Sequence, residues 1–226
     1  MASMNLLRAL ATVSGMTLLS RILGFVRDFQ VVGPFDNDGE AGFSATLEPE
    51  WREGGRPRDP FALFAAHGAN LVRVRLWNDA RWTRYSNLAD VEKTLRRARA
   101  AGLQTLLDFH YSDDWADGDK QVIPKAWEAL PTTEALAAAL HDYTRATLDR
   151  LAADGLFPDA VQVGNETNPE LLGRLEWGQQ KRPIDWQRNA ALFNAGIRAV
   201  HEAARAAGKT ARIMLHIAQP ENAEPW

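Results

Sequence analysis

The body of the chain alternates between short apolar runs and longer stretches in which apolar residues recur every three or four positions. The short runs have the period of two that is typical of β-strands, and the longer stretches have the period of amphipathic helices. The pattern predicts strands near residues 70–76, 103–109, 160–165 and 211–217. It predicts helices in DPFALFAAHG, NLADVEKTLRRARAAG, EALAAALHDYTRATLDRLAADG and WQRNAALFNAGIRAVHEAARAAG. Strands that alternate with helices indicate an α/β protein with right-handed crossovers and a parallel sheet.

The two faces of each predicted strand differ in polarity. In the first strand, Val72, Val74 and Leu76 share one face, whereas Arg73 and Arg75 share the other. The other strands repeat this division, and their mixed face becomes more polar towards the carboxyl end. A doubly wound sheet is covered by helices on both faces and would be apolar on both. The asymmetry therefore favours a (β/α)8 TIM barrel, whose interior opens at a polar mouth.

Several polar residues are predicted to lie on the inner face, at the carboxyl ends of successive strands. They are Arg75, Asp108, His110, Glu166 and His216. Burying an unpaired charge is costly, so these side chains must contact one another, water or a ligand. A structural ion-pair network would explain any one of them alone. Their convergence at the end where barrel enzymes carry their active sites favours a functional role for the set.

Glu166 is the strongest catalytic candidate among them. It follows Asn165 in the motif VGNE, directly after a predicted strand. A carboxyl group in a partly dehydrated mouth has a raised pKa, which suits a general acid that protonates a leaving group. Cleavage of a glycosidic bond usually needs this acid and a second carboxylate, about 5–5.5 Å away in retaining enzymes. An Asn-Glu pair is common by chance, and its position after a barrel strand is what strengthens it.

Composition narrows the classes of function. The chain has 226 residues, of which 46% are hydrophobic and 24% are charged, as is usual for a globular protein with a core. The formal net charge of -3 provides no basic field, so nucleic acid is not expected as a partner. The sequence has no cysteine, which excludes disulfides and thiolate metal sites. Its 8 tryptophans are a large share, and such flat side chains occur both in cores and in sugar-binding clefts.

The first 29 residues differ from the rest of the chain. They are apolar, but the longest uncharged run, Ala9 to Ser20, is too short to span a bilayer, so no stable membrane span is expected. A signal-peptide cleavage site is not recognisable either. Residues 4–29, with the motif SRILGFVRD, resemble the amino terminus of the lipid II flippase family.

Three segments are therefore predicted along the chain. Residues 1–29 form an apolar segment unrelated to the barrel, and residues 30–58, rich in Gly, Asp and Pro, form an irregular segment. Residues 59–226 form the partial barrel. Two unlike beginnings before one body indicate a composite chain, such as a recombined or misassembled gene.

From about residue 50 to the end, motifs agree in order and spacing with family 53 of the glycoside hydrolases, the arabinogalactan endo-β-1,4-galactanases. They are GANLVRVRLW, LLDFHYSDDWADGDKQVIPKAW, DAVQVGNETNPELL and ARIMLHIAQPENAEPW. The resemblance implies a (β/α)8 barrel that hydrolyses β-1,4-galactan with retention, using two glutamates. It implies galactan or arabinogalactan oligosaccharides as ligands, no cofactor, and a secreted or periplasmic location.

The resemblance also assigns residues. Glu166 matches the family's acid/base, and Asn165 matches the partner beside it. The motifs that line the family's cleft contain Arg75, His110, Trp115 and His216, for which the resemblance implies substrate binding. The family's nucleophile follows the seventh strand, whereas this chain ends just past what would be the fifth. The chain would then supply roughly strands 2 to 5 and be truncated before the nucleophile, and it would lack the late loop that binds calcium, so no metal is expected.

Two functions from different classes remain open. The first is a retaining endo-galactanase, represented here by its acid/base half. The second is a non-catalytic truncated or chimeric product with at most weak sugar binding. A membrane protein of the flippase type rests on the first 29 residues alone. A partial barrel leaves sheet edges unpaired, and such edges are expected to promote aggregation or oligomer formation.

Overall fold

The computed structural model describes residues 51–174 and 183–223. The predicted apolar segment, with its flippase-like motif, and most of the predicted irregular segment lie outside these residues. The chain divides into two compact units, residues 1–63 and residues 64–226.

The described part of the first unit contains a short antiparallel hairpin. Strand β1 (Arg52–Glu53) pairs with strand β2 (Arg56–Pro57) across a turn made by two glycines at positive φ. This hairpin lies at the end of the segment predicted as irregular. Its two strands are too short to show the period-two pattern on which strand prediction depends.

Helix α1 (Pro60–Ala66) begins where the sequence indicates. Asp59 is its N-cap, since one carboxylate oxygen accepts hydrogen bonds from the backbone N–H groups of Phe61 at 2.9 Å and Ala62 at 3.2 Å. Pro60 occupies the first helical position, where its missing N–H is not needed.

The second unit contains a four-stranded parallel sheet with the strand order β3-β4-β5-β6. Its strands are β3 (Leu71–Leu76), β4 (Gln104–Phe109), β5 (Ala160–Val163) and β6 (Arg212–Met214). All four predicted strands are therefore present, and their parallel pairing is confirmed. The last two are shorter than predicted because the backbone leaves the extended conformation early. Gly164 has a φ of 85°, and the carbonyl of His216 accepts from Thr167 instead of a neighbouring strand.

Three long helices connect these strands. They are α2 (Leu88–Ala100), α3 (Thr133–Ala153) and α4 (Trp186–Ala206), and 3₁₀ turns form at Lys125–Trp127 and Pro220–Asn222. A polar side chain caps each helix: Asn87, Thr132 and Asp185 each accept from the backbone N–H three residues later. No helix within the described ranges combines the length and the hydrophobicity that crossing a bilayer requires.

The strand order explains why one face of the sheet is apolar. Sequential parallel strands joined by right-handed crossovers place all the connecting helices on the same side of the sheet. The core accordingly contains the side chains that the sequence assigned to the outer face: Val74, Leu76, Leu107, Phe109, Val161 and Val163. This one-sided arrangement is that of a barrel wall, whereas a doubly wound sheet reverses its strand order and has helices on both faces.

Helix α4 approaches the sheet closely at Gly196. A Cβ atom at this position would lie 2.6 Å from Val163 Cγ1, 3.2 Å from Leu140 Cδ2 and 3.3 Å from the Tyr111 hydroxyl. Only glycine therefore fits without moving its neighbours, and this contact determines how near α4 lies to the strand that carries the candidate catalytic residue.

Candidate active site

The inner face of the sheet is polar and mostly buried. In the strand register, Arg75 lies opposite Asp108, and Asp108 lies opposite Gln162. None of these three residues is more than 7% exposed. Since a buried polar group must be hydrogen-bonded to be tolerated, the partners of these side chains define how the site is built.

An ion pair between a partly buried arginine and a buried aspartate joins β3 to β4. Arg73 Nη2 lies 2.7 Å from Asp108 Oδ2, and the other oxygen of this carboxylate accepts from Gln162 Nε2, also at 2.7 Å. Arg73 Nε in turn donates to Gln162 Oε1 at 3.1 Å, so the three side chains form a closed ring of contacts across three strands. Burial alone would raise the pKa of Asp108, but the Arg73 guanidinium and His110 outweigh it, so the pKa lies below its ordinary value.

His110 extends this network from the end of β4. Its Nε2 lies 3.2 Å from Asp108 Oδ2, and its Nδ1 accepts the backbone N–H of Ala116 at 3.2 Å. The ring therefore carries its proton on Nε2. Burial lowers the pKa of His110 below its ordinary value, although the Asp108 carboxylate acts in the opposite direction. The imidazole is thus a neutral donor near pH 7, and both of its nitrogens are engaged within the protein.

Asn165 connects the ion pair to the end of β5. Its Oδ1 accepts from Arg73 Nη2 at 2.5 Å, and its Nδ2 donates to the carbonyl of Ala116 at 2.7 Å. His216 Nδ1 lies 2.9 Å from the same Oδ1 and 3.2 Å from the backbone N–H of Glu166. Nδ1 can accept the Glu166 N–H or donate to Asn165 Oδ1, but one tautomer cannot do both. The shorter contact favours a proton on Nδ1, which His216 then donates to Asn165. The amide orientation of Asn165 is therefore determined by contacts on both sides.

The backbone around Glu166 adopts an unusual conformation. Glu166 itself has a φ of 45°, which is uncommon for a residue with a side chain. Gln121 stabilises this turn, since its Nε2 donates to the carbonyls of Asn165 at 2.8 Å and Glu166 at 3.2 Å. Thr167 closes it by donating its backbone N–H to the carbonyl of His216 at 2.9 Å. Backbone strain held by its surroundings in this way clusters at functional sites.

The Glu166 carboxyl group is partly buried at this turn. Burial raises its pKa above the ordinary value, and the nearby Asp117 and Asp108 carboxylates act in the same direction. The backbone N–H of Gly118, 3.4 Å from Oε2, and the Arg73 guanidinium oppose this rise without cancelling it. A glutamic acid in this environment keeps its proton at higher pH than usual, which is what a general acid requires.

Arg75 and Trp115 form a second part of the site. The Arg75 guanidinium carbon lies 3.8 Å from the Trp115 ring centroid and 4.3 Å from the Trp77 ring centroid. The charge therefore lies against two tryptophan rings, whose planes are inclined at 75°, an arrangement that favours a cation with little access to water. Trp115 also contacts His110, with ring centroids 6.1 Å apart. This links the aromatic cluster to the network around Asp108.

The structure brings the predicted site residues together in two connected groups. Asn165, Glu166 and His216 meet at the turn after β5, and a cluster of Arg75, His110 and Trp115 lies at the ends of β3 and β4. Sequence reasoning missed Arg73, Gln162 and Gln121 as site residues. Arg73 had a readable signal, since it shares the polar face of its strand with Arg75. Gln121 had none, because its loop shows no periodicity.

Asp108 is not free to act as a second catalytic carboxylate. Its two oxygens already accept from Gln162 and lie within 3.2 Å of Arg73 and His110. Across the part of the chain that the structure describes, no group of three or more His, Asp or Glu side chains is arranged to hold a metal ion. Among the described residues, the geometry thus provides one candidate proton donor, Glu166, within the hydrogen-bonded network at the carboxyl end of the sheet.

A one-sided parallel sheet with a partly buried glutamic acid at its carboxyl edge is the arrangement of a barrel glycosidase. The family model described as glycosyl hydrolase family 53 matches residues 44–226, and the chain belongs to this family. The match leaves residues 1–43 outside it.

Two relatives are similar in sequence to this chain and bear the names of galactanases. The chain is 54% identical over 176 residues to an arabinogalactan endo-beta-1,4-galactanase of Cellvibrio japonicus, a match that covers 78% of this chain and 46% of the relative. It is 39% identical over 176 residues to an endo-beta-1,4-galactanase of Bacillus subtilis, covering 75% of this chain and 38% of the relative. The chain thus spans less than half the length of these curated relatives.

Solved structures confirm the fold. The catalytic domain of a family 53 protein from Ignisphaera aggregans superposes with a TM-score of 0.63 at 31% identity, covering 74% of this chain and 46% of that one. A structure from a study of two fungal beta-1,4-galactanases superposes with a TM-score of 0.65 at 28% identity, covering 74% and 48%. The four-stranded sheet is therefore part of a (β/α)8 barrel, as the polarity of the strand faces predicted.

The raised pKa of Glu166 can be tested through Asp117. We expect Asp117→Asn to lower the pKa of Glu166, because it removes a negative charge that disfavours ionisation while keeping an oxygen for the backbone N–H of Asp119. The measurement is an NMR titration of the side-chain carboxyl carbon in protein labelled at glutamate, with Glu166→Gln identifying the resonance.

Asp119→Asn is the matched control for this titration, since it makes the same charge change in the same loop at an exposed position. It should move the Glu166 titration less than Asp117→Asn does. An unsubstituted Glu166 that titrates at or below the value of an ordinary glutamate would show that burial does not control this carboxyl group.

Proposed function

We propose that the chain carries the acid/base half of a retaining endo-β-1,4-galactanase, with Glu166 as the general acid and base. The observation that carries this proposal is the position of Glu166, partly buried and with a raised pKa on a held turn after β5. Support comes from the family membership and from the relatives that bear the name arabinogalactan endo-beta-1,4-galactanase. A polysaccharide substrate that cannot enter a cell also supports a secreted or periplasmic location.

In the proposed mechanism, the Glu166 carboxyl group gives its proton to the glycosidic oxygen as the bond from that oxygen to the anomeric carbon breaks. A second carboxylate attacks the anomeric carbon from the opposite face and forms a glycosyl–enzyme ester. Glu166, now ionised, then takes a proton from water as the water oxygen displaces this ester. This proton restores the carboxylic acid of Glu166, and breaking the ester frees the second carboxylate, so that both groups regain their starting states.

The neighbouring residues divide into substrate-binding and positioning roles. We assign the second hydrogen of Asn165 Nδ2 to a sugar hydroxyl, because the first is donated to the Ala116 carbonyl and so fixes the amide plane. His216 holds the Asn165 oxygen, and Arg75 and Trp115 form the wall of the binding cleft. His110 acts through Asp108 and Ala116, since both of its ring nitrogens are engaged by them.

The second carboxylate is proposed to come from the part of the barrel that the residues described here do not form. Asp108 accepts from Gln162 and lies within 3.2 Å of Arg73 and His110, and Asp117 lies on a loop and not at a strand end. The structural relatives are about twice as long as the matched region, which leaves room for the remaining strands. The alternative, a product that binds sugar weakly without hydrolysing it, is favoured by the lack of a second catalytic carboxylate among the described residues.

A chimera separates these two functions. We expect residues 1–226 alone to hydrolyse β-1,4-galactan negligibly, because a retaining displacement needs a nucleophile. Joining residues 51–226 to the carboxyl-terminal half of the Cellvibrio japonicus relative, together with that relative's first strand, should restore hydrolysis. Glu166→Gln in the active chimera should lower kcat by about 10²–10⁴-fold, the usual contribution of general acid–base catalysis.

The readout is release of reducing ends from galactan, with Asp119→Asn as a control that should retain activity. Aryl galactosides with good leaving groups need little protonation, so Glu166→Gln should slow the first step on them much less. Galactan hydrolysis at an ordinary enzymatic rate by residues 1–226 alone would contradict the proposal. So would a correctly folded chimera whose activity does not depend on Glu166.

We also propose that copies of this chain associate through the edges of the sheet. Among the described strands, β3 and β6 have a neighbour on one side only. Leu71 in β3 is 36% exposed, Met214 in β6 is 45% exposed, and Leu215, directly after β6, is 40% exposed. Unpaired, apolar strand edges promote association. Leu71→Lys combined with Met214→Lys should therefore raise the fraction of monomer in sedimentation velocity.

Trp186→Lys is the matched control, since it adds a charge at another exposed hydrophobic position, at the start of helix α4 and not on a strand. It should leave association unchanged. A wild-type chain that remains monomeric at every concentration tested would contradict this proposal.

A further inference from the structure

Trp82 is exposed and yet held in one orientation. It lies in the loop between β3 and α2 and keeps 54% of its surface open to solvent. Its Nε1 donates to the carbonyl of Asp113 at 3.1 Å, and its ring packs against Trp77 with centroids 4.9 Å apart. A tryptophan that is held by its neighbours and yet keeps more than half of its surface exposed is unusual, since a structural role would normally bury so large a ring.

The loop that carries Trp82 is tied to the loop after β4. The Asp113 carboxylate accepts the backbone N–H of Asp79 and that of Lys125, both at 2.9 Å. The backbone N–H of Asn78 donates to the carbonyl of Ser112 at 2.9 Å. These contacts orient the indole before any ligand arrives, and a preorganised contact loses less entropy on binding.

Trp82 is continuous with the wall of the candidate active site. Its neighbour Trp77 is fully buried and lies 5.6 Å from the Trp115 ring and 4.3 Å from the Arg75 guanidinium carbon. Both loops that hold Trp82 follow the carboxyl ends of strands, the same edge of the sheet at which Glu166 lies. A series of contacting rings therefore runs from Trp115 near His110, through buried Trp77, to exposed Trp82.

We propose that Trp82 is a sugar-stacking residue that forms a subsite remote from the cleaved bond and increases affinity for longer galactan chains. This rests on the proposed function of the site. A β-galactosyl ring turns the C–H groups at C3, C4 and C5 towards one side, away from its axial 4-hydroxyl. That side is apolar and flat enough to cover an indole, while the hydroxyl groups on the rim remain hydrated. Since Trp77 separates Trp82 from the site, the stacked sugar lies beyond those that contact Glu166.

The test measures binding of linear β-1,4-galacto-oligosaccharides to the full chain. Binding is monitored by the change in tryptophan fluorescence at low protein concentration. Trp82→Ala should weaken binding of galactotetraose or longer chains by about three- to tenfold, the range expected for the loss of one aromatic contact. Its affinity for galactobiose should be unchanged, because the proposal places Trp82 beyond the sugars that contact Glu166. Trp82→Phe keeps a stacking face without the Nε1 donor and should recover part of the loss.

Trp186→Ala, at another exposed tryptophan, is the matched control and should bind every oligosaccharide as wild type does. Circular dichroism confirms that each variant is folded. Equal weakening for galactobiose and galactotetraose would show that Trp82 acts by supporting the site and would overturn the proposal, as would unchanged binding of galactotetraose. A wild-type chain that does not distinguish galactotetraose from cellotetraose would instead overturn the proposed function on which this subsite rests.

Discussion

The ion pair between partly buried Arg73 and buried Asp108 is the interaction on which the site depends. It lies on the inner face of the sheet, on the side away from the described helices that connect the strands. Burial would raise the pKa of a lone carboxylate here, so that it would take up a proton. Arg73 and His110 prevent this by keeping the pKa of Asp108 low. The same guanidinium donates to Asn165, so the charge that stabilises Asp108 also orients the residue beside Glu166.

The turn after β5 is strained, and its surroundings stabilise it. A non-glycine residue held at positive φ costs on the order of 1 kcal/mol or more, and Glu166 is such a residue. Gly164 avoids a further clash, since a Cβ there would lie 2.7 Å from the Thr167 side chain and 2.8 Å from that of Leu171. The side chain of buried Gln121 then donates hydrogen bonds to the backbone carbonyls of Asn165 and Glu166, which are not paired within the sheet. The catalytic candidate is therefore presented by a rigid segment, which suits a group that must meet a glycosidic oxygen in one geometry.

Much of this could be predicted from the sequence, because periodicity reports the side of an element on which a residue lies. The strands, the long helices and the polarity of the inner face follow from it, and Asn87 and Asp185 indicate where two helices begin. Periodicity does not report which side chains meet. Arg75 and Arg73 have the same signal, yet Arg75 packs against two tryptophan rings and Arg73 forms the ion pair. The early ends of β5 and β6 and the role of Gln121 depend on contacts between distant loops, which no local pattern contains.

A double-mutant cycle on Arg73 and Asp108 tests most directly the claim that this pair organises the site. The free energies of unfolding of wild type, Arg73→Met, Asp108→Asn and the double variant are measured in urea at pH 7, where Asp108 is ionised. Each single variant should be destabilised, and the double variant should be less destabilised than the sum of the two, with a coupling of about 1–3 kcal/mol. Additive effects, with no coupling beyond about 0.5 kcal/mol, would contradict this claim.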